Sequence, residues 1–293
     1  MGDVYGVIVA GGVGSRMGCK DKPKQFMMLD GKPIIIRTIE KFYRIEEFRE
    51  IIVLCPAEWV SYTEELVRDF LDHDNARETL ASDHIDRENL AGNGDMTSAC
   101  RISVIPGGNT RNETIMRAID LIEEHGDLAE DTVIVTHDSV RPFVTEEIIR
   151  ENIAYALGDA VAVDGSGAPD GGAYGGDAGI LSSGSVIRAC TTAIPATDTI
   201  LVSEDSRYIS AMPDRTQMYQ CQTPQTFPAM KLRRLYESLT DEEKDVLTDA
   251  ARIFLMKGEK VHLIKGDISN IKITYPHDMM IAEVMMKNLD GHA

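Results

Sequence analysis

Residues 4–17 read Val4-Tyr5-Gly6-Val7-Ile8-Val9-Ala10-Gly11-Gly12-Val13-Gly14-Ser15-Arg16-Met17, an apolar run that ends in a glycine turn. The run over residues 4–10 is rich in β-branched side chains and has almost no polar alternation. This pattern predicts a parallel strand that is covered on both faces. The three glycines that follow carry no Cβ, so the backbone can turn sharply and its N–H groups can approach an anion closely. The stretch therefore predicts the first strand of an α/β sheet, with a phosphate-binding turn behind it.

Two cations lie close to this turn in the sequence. Arg16 follows the last glycine by two residues, and Lys24 lies eight residues further on, in Lys22-Pro23-Lys24-Gln25. The turn is not a P-loop, because the Gly-Lys-Ser/Thr ending is missing. A dinucleotide fingerprint would need a helix that opens directly from the glycines, and Pro23 argues against a helix there. The pattern favours a triphosphate over NAD, with a dehydrogenase as the remaining enzyme alternative.

The composition narrows the class of protein. The 293 residues are 43% hydrophobic and 27% charged, which is typical of a globular protein with a sizeable core. A net charge of −18 argues against nucleic-acid binding, which needs basic patches. No apolar run approaches the roughly 18 residues of a membrane span, so we expect no membrane association. The five cysteines show no C-x-x-C spacing, and we expect a protein of the reducing cytoplasm.

Strand and helix signals alternate along most of the chain. Strands are predicted at residues 51–54, 102–105 and 132–136, and helices at residues 34–43, 146–157 and 242–255, among others. This alternation predicts a single domain over residues 1–293 with a Rossmann-like, doubly wound, mostly parallel sheet. Ligands bind such sheets outside the carboxyl ends of the strands. The loops at residues 11–14, 107–114 and 137–142 should therefore converge.

Two stretches interrupt this alternation, and a third leaves the sheet. Residues 72–100 are rich in charges and show little periodicity, and residues 164–184 are rich in glycine and serine. We predict that residues 72–100 form a surface excursion that is helical at most in part. Residues 164–184 should form a mobile loop, because they cannot bury enough surface to offset their ordering entropy. We call both stretches surface insertions. Hairpin-like runs flank turn residues 203–207, which suggests a protruding β-arm at about residues 193–217.

Five motifs, in this order, resemble those of the sugar-nucleotide cytidylyltransferases. They are Gly11-Gly12-Val13-Gly14-Ser15-Arg16-Met17 with Pro23-Lys24-Gln25, Gly107-Gly108 with Arg111, His137-Asp138-Ser139-Val140-Arg141-Pro142, Thr223-Pro224-Gln225, and Asn270-Ile271-Lys272-Ile273-Thr274. The last three resemble the branch that acts on polyol phosphates, the methylerythritol-phosphate/ribitol-phosphate cytidylyltransferase family. The resemblance covers nearly the whole chain apart from the two insertions.

Two polyol phosphates are candidate acceptors within this family. The run Thr136-His137-Asp138-Ser139-Val140-Arg141-Pro142-Phe143 resembles the ribitol branch, whereas methylerythritol enzymes usually carry two alanines after the aspartate. Residues 222–227 and 247–250 are similar to the ribitol branch too. The resemblance thus favours transfer from CTP to D-ribitol 5-phosphate, giving CDP-ribitol for teichoic acid or another cell-surface polyol phosphate. One alternative is 2-C-methyl-D-erythritol 4-phosphate, of isoprenoid biosynthesis. The other is a non-catalytic nucleotide-binding protein.

The resemblance also implies roles for individual side chains. The catalytic residues would be Arg16, Lys24, Lys272 and Asp138, with Asp138 holding Mg²⁺ while the cations stabilise the charge that develops during in-line attack. The CTP-binding residues would be Val9, Ala10, Gly11, Gly12, Gly14, Gly107, Gly108, Arg111, Asn112, Thr114 and Ser139. The polyol phosphate would contact Arg141, Thr199, Arg215, Thr223 and Lys272. In this family the arm that carries Arg215 reaches the neighbouring subunit, so a homodimer is implied. His137 is interpreted as structural.

Overall fold

The computed structural model describes residues 2–12, 22–72, 100–158 and 188–290. The strands in these ranges are β1 (Val4–Val9), β2 (Met28–Leu29), β3 (Lys32–Pro33), β4 (Phe48–Cys55), β5 (Arg101–Pro106), β6 (Val133–Asp138), β7 (Cys190–Pro195), β8 (Tyr219–Pro228) and β9 (His262–Lys265). The α-helices there are α1 (Ile34–Tyr43), α2 (Val60–Val67), α3 (Arg111–Glu124), α4 (Glu146–Leu157), α5 (Ala229–Glu237), α6 (Asp241–Asp245), α7 (Ala250–Met256) and α8 (Pro276–Asp290). None of these helices is long and apolar enough to cross a bilayer. Gly14 and Arg16 lie outside the described residues, as do nearly all of the two predicted insertions.

Seven strands form the central sheet, in the order β5-β4-β1-β6-β8-β7-β9. The pairs β1/β4, β4/β5, β1/β6 and β7/β9 are parallel, whereas β8 runs antiparallel to both of its neighbours. The prediction of a doubly wound, mostly parallel sheet is therefore confirmed. β8 is the strand that makes this sheet mixed, because it runs antiparallel to β6 and β7. It brings the loop before β8 to the edge of the sheet where β1 and β6 end.

Both faces of the sheet are covered, as the unbroken apolar run of β1 predicts. Val4 and Ile8 pack into one cluster, which also contains Ile35, Ile36 and Ile39 of α1. Tyr5 and Val7 point to the opposite face and pack with the buried isoleucines of α3. Because side chains alternate along a strand, a strand buried on both faces needs apolar residues at every position.

A third apolar cluster fixes the C-terminal part of the chain against the sheet. It joins Leu29 of the β2–β3 hairpin, Val140 and Phe143 after β6, Ile273, and Met279 on α8. Ile273 is fully buried in this cluster. The packing therefore holds the segment before α8 beside the carboxyl end of β6.

The predicted single helix over residues 242–255 is wrong, because α6 and α7 are separate helices. Thr240 caps α6 with a capping box, and the side chain of Asp249 caps α7 by accepting a hydrogen bond from the Ala251 N–H at 2.8 Å. An N-cap residue has non-helical backbone angles, so Asp249 has to interrupt the helical pattern.

Residues 196–218, which we call the arm, extend beyond the pairing of β7 with β8. The pairing ends at Pro195 opposite Tyr219, and Ala196 N–H donates to Met218 O at 2.9 Å. Further out, Val202 and Ala211 form an isolated antiparallel bridge. Most of the arm is exposed, and it carries exposed large apolar side chains at Leu201, Val202, Tyr208, Ile209 and Met212.

Candidate active site

Two parallel strands end side by side and open the candidate site. Val9, the last residue of β1, pairs in register with Asp138, the last residue of β6. Beyond this pair, Ser139 N–H donates to Val9 O at 3.1 Å, and Ala10 N–H donates to Leu54 O at 2.7 Å. The first glycine turn and the turn after β6 therefore emerge next to each other, as predicted from the sequence.

The carboxylate of Asp138 lies at the centre of a cluster of three cations. Arg111 at the start of α3 donates to one oxygen, while Lys272 Nζ and Arg141 Nε lie 2.8 Å and 3.4 Å from the other. Burial alone would raise the pKa of Asp138, but the attraction of Arg111, Lys272 and Arg141 holds this pKa well below its usual range. A buried carboxylate that is paired in this way stays ionised. In a chain with a net charge of −18, this is a local concentration of positive charge suited to phosphates.

The second glycine loop sets the position of Arg111. Gly107 N–H donates to Cys55 O at 2.8 Å, and Gly108 N–H donates to the Thr114 hydroxyl at 3.0 Å. A Cβ on Gly108 would lie 2.5 Å from the Cβ of Glu113, so only glycine lets the loop approach α3 this closely. Arg111 then begins the helix with its guanidinium directed at Asp138.

The start of α3 also carries polar atoms without a partner in the described part of the chain. Arg111 Nη2 and Asn112 Oδ1 are buried and make no hydrogen bond there. A Cβ on Gly11 would lie 4.0 Å from the Thr114 hydroxyl, which places the first glycine turn beside this helix. Gly11, Gly107 and Gly108 thus lie beside the start of α3, and a bound nucleotide could satisfy the unpaired atoms.

Lys24 and its neighbour connect the first glycine turn to the C-terminal part of the chain. Lys24 is buried, and its Nζ donates to Ile273 O at 2.9 Å. Gln25 Nε2 donates to Ala10 O at 2.6 Å, at the point where β1 ends. Lys24 is therefore bonded to the residue that follows Lys272, although the two lysines lie near opposite ends of the chain.

The predicted polyol-phosphate residues Arg141, Thr223 and Lys272 meet at Asp138. Thr223, on β8, accepts a hydrogen bond from Asp138 N–H through its hydroxyl at 3.2 Å. Arg141 also donates to the carbonyl oxygen of Asn270 at 2.7 Å. His137 Nε2 lies 3.1 Å from Arg141 O, and burial lowers the pKa of His137 to about 3. The neutral ring donates to this carbonyl, which agrees with a structural role for His137.

The structure does not bring Thr199 and Arg215 to this cluster. Both are exposed on the arm, and Arg215 Nη1 donates to Thr197 O at 3.0 Å. At about 3.3 Å per residue, Tyr219 lies about 13 Å from Thr223 along β8, and Arg215 comes before Tyr219 in the chain. In the described ranges neither residue contacts Asp138, Arg141 or Lys272.

Three amides that support the site were given no role from the sequence. They are the side chains of Gln25, Gln222 and Asn270. Gln222 Nε2 donates to Asp267 O at 2.8 Å, and Asn270 Nδ2 donates to Thr223 O at 2.9 Å. All three lie inside or next to the motifs that carry the resemblance. An amide side chain inside a polar motif was the only sequence signal for such a supporting role. The hydrogen-bond partners of each amide depend on the fold, so the sequence could not predict them.

Asp138 is the residue to which the resemblance assigns Mg²⁺. The described residues contain no group of three or more His, Cys, Asp or Glu side chains that could hold a metal ion. Magnesium in nucleotide-dependent enzymes is commonly bound by one or two carboxylates, with substrate phosphates and water as the other ligands. A single carboxylate among three cations fits a metal that arrives with a triphosphate. It does not fit a metal held by the protein alone.

Comparisons with known proteins agree with this geometry. The sequence model of the family "IspD: 2-C-methyl-D-erythritol 4-phosphate cytidylyltransferase" matches residues 4–164 and 180–288. Among similar solved structures, 4-diphosphocytidyl-2C-methyl-D-erythritol synthase from Anaerococcus prevotii DSM 20548 is 21% identical with a TM-score of 0.64, covering 98% of this chain and 99% of that one. Another protein described as this synthase is 23% identical with a TM-score of 0.65, at 98% and 99% coverage. The Francisella tularensis 2-C-methyl-D-erythritol 4-phosphate cytidylyltransferase is 21% identical with a TM-score of 0.62, at 96% and 99% coverage.

Proposed function

We propose a specific reaction for this chain, which belongs to the 2-C-methyl-D-erythritol 4-phosphate cytidylyltransferase family. As a member it is a cytidylyltransferase, and we infer that it joins the cytidylyl group of CTP to a polyol phosphate and releases pyrophosphate. The observation that carries this inference is the ionised carboxylate of Asp138 among Arg111, Arg141 and Lys272. Such a cluster presents net positive charge to phosphorylated substrates.

The proposed mechanism consists of positioning and charge neutralisation. An oxygen of the polyol phosphate attacks the α-phosphorus of CTP, and pyrophosphate leaves from the opposite side. Negative charge grows on the oxygens around that phosphorus and on the leaving group. Lys24 and Lys272, together with Arg16, stabilise this charge, while the two glycine turns hold the triphosphate and the nucleoside. Arg141 and Thr223 orient the phosphate of the acceptor.

Mg²⁺ belongs to this proposal. A bound Mg²⁺ would neutralise part of the triphosphate charge and increase the electrophilicity of the α-phosphorus. Asp138 is the carboxylate that would hold it. The three cations around Asp138 keep this carboxylate ionised, so that it is ready to accept a metal without losing a proton first.

The acceptor is the finer part of the proposal, and two candidates have support. The names of the matching family and of the similar structures refer to methylerythritol phosphate, and they back this acceptor better than they back ribitol phosphate. The residues of the site support D-ribitol 5-phosphate, because Ser139 and Val140 follow Asp138 where methylerythritol enzymes usually carry alanines. Both residues are buried beside Asp138, within the loop that holds Arg141.

A homodimer is also part of the proposal. Arg215 and Thr199 are predicted to contact the polyol phosphate, yet among the described residues neither contacts the Asp138 of its own chain. The apolar side chains exposed on the arm suit a surface that becomes covered. We infer that the arm of each protomer reaches the site of its partner, in a two-fold arrangement that completes both sites.

Pyrophosphate release tests this function directly. With CTP and Mg²⁺, we expect release that requires a polyol phosphate, and parallel assays with D-ribitol 5-phosphate and 2-C-methyl-D-erythritol 4-phosphate identify the acceptor from kcat/KM. UTP and ATP are the matched nucleotide controls. A folded protein whose melting temperature rises with CTP, but which releases no pyrophosphate with either acceptor, would instead be a nucleotide-binding protein. A rise with NAD and none with CTP would favour a dehydrogenase.

A further inference from the structure

Asn270 is a fully buried polar side chain at the edge of the candidate site. Its Nδ2 donates to Thr223 O at 2.9 Å and to Gln222 Oε1 at 3.3 Å. Its backbone carbonyl accepts the hydrogen bond from Arg141 Nη1 at 2.7 Å. One residue thus contacts Arg141 and the backbone of Thr223, and it lies two positions before Lys272.

The surroundings show why this side chain controls the segment at residues 266–274. The segment begins where Gly266 N–H donates to Ala193 O at 2.8 Å, and near its end Ile273 N–H donates to Val140 O at 2.9 Å. Between these anchors the segment contains no regular helix or strand. The Asn270 amide ties the middle of the segment to Thr223 of β8, and Gln222 Nε2 on the same strand donates to Asp267 O near the start of the segment.

A second asparagine provides the comparison. Asn152 on α4 is also fully buried, and its Nδ2 donates to Ile148 O at 2.8 Å and to the Thr192 hydroxyl at 3.0 Å. Its hydrogen bonds join α4 to the sheet and do not involve Arg141, Thr223 or Lys272. Both residues therefore contribute buried hydrogen bonds, and only Asn270 connects groups proposed to bind the acceptor.

We propose that Asn270 is a positioning residue for the acceptor phosphate, an inference that rests on the proposed function. By fixing the 266–274 segment to Thr223, the Asn270 amide places the carbonyl that orients Arg141 and sets the distance of Lys272 from Asp138. Misplacing such groups by about 1 Å can cost about 100-fold in rate. A loss of this size, without a matching loss of CTP binding, is what distinguishes positioning from plain structural support.

The test compares Asn270→Ala with Asn152→Ala in the full-length protein. We expect both variants to melt at a lower temperature, because each loses buried hydrogen bonds. For Asn270→Ala, kcat/KM for the polyol phosphate should fall about 10- to 100-fold, and the acceptor should bind more weakly in a calorimetric titration. The dissociation constant of CTP should stay unchanged, because no hydrogen bond joins Asn270 to the described residues of the two glycine turns. Asn152→Ala should keep normal values for both substrates.

If Asn270→Ala does not fold, Asn270→Ser replaces it, with Asn152→Ser as its control. The serine hydroxyl is a shorter donor, so we expect a smaller loss in the same direction. A folded Asn270 variant with normal kcat/KM and normal acceptor binding would overturn the inference while leaving the proposed function intact. A wild-type protein that neither binds nor turns over either polyol phosphate would contradict the proposed function instead.

Discussion

Lys272 Nζ lies 2.8 Å from a carboxylate oxygen of Asp138, which joins the segment before the C-terminal helix to the end of a central strand. The lysine is half-exposed whereas the aspartate is buried. Solvent screens the charge of this lysine, and Asp138 stays paired with Arg111 and Arg141 when the lysine is removed. Its position beside two arginines is therefore more informative about chemistry than about folding.

Replacement of Lys272 should affect turnover much more than stability. We expect Lys272→Ala to lower kcat by about 10²–10³, because it removes a donor aimed at developing charge. Its melting temperature should stay close to that of the wild type. Lys260→Ala, at an exposed lysine away from the cluster, is the matched control and should have normal kcat. Normal turnover of Lys272→Ala would contradict the role proposed for this lysine.

The cations near the first glycine turn should behave in the same way. We expect Lys24→Ala and Arg16→Ala each to lower turnover by about 10²–10³ in a folded protein. Lys22, two residues before Lys24, donates to the Tyr62 hydroxyl at 2.7 Å and has no proposed contact with phosphate. Lys22→Ala is therefore the control and should keep its activity. Near-normal kcat in both the Lys24 and the Arg16 variants would refute the assignment.

Metal dependence should follow from the single carboxylate at the site. Activity should disappear in chelator and return with Mg²⁺. Asp138→Asn should need a much higher Mg²⁺ concentration, because an amide is a weaker ligand for a hard cation than a carboxylate. The measurement is the Mg²⁺ concentration for half-maximal rate in the two proteins. Activity that persists in chelator, or an unchanged requirement in Asp138→Asn, would show that Asp138 does not bind the metal.

A complementation experiment tests whether the arm crosses to the partner. If it does, Arg215→Ala and Asp138→Ala damage different chains of one composite site. Refolding the two inactive variants together should give about half mixed dimers, each with one intact site, and thus up to about a quarter of wild-type activity. Each variant refolded alone is the control. Mixed dimers confirmed by mass spectrometry without recovered activity would show that Arg215 serves its own chain.

Local patterns were enough to predict several elements correctly. α1 and α4 coincide with the predicted helices, because their apolar residues recur at helical spacing and, apart from Ile34, their buried ones pack in one core cluster. The structure confirms β1 as a strand covered on both faces. The break between α6 and α7 was missed, because Asp249 caps a helix there within a pattern that remains compatible with one continuous helix.

The sequence by itself determined the sheet class, the two glycine loops and the identity of most polar groups at the site, since these depend on periodicity and on neighbouring residues. The tertiary structure alone decided which groups meet. The antiparallel β8 brings Thr223 to Asp138, and Asn270 ties the segment of Lys272 to β8. These contacts join residues far apart in the chain, so their geometry depends on how strands and apolar clusters pack. No local pattern encodes that packing.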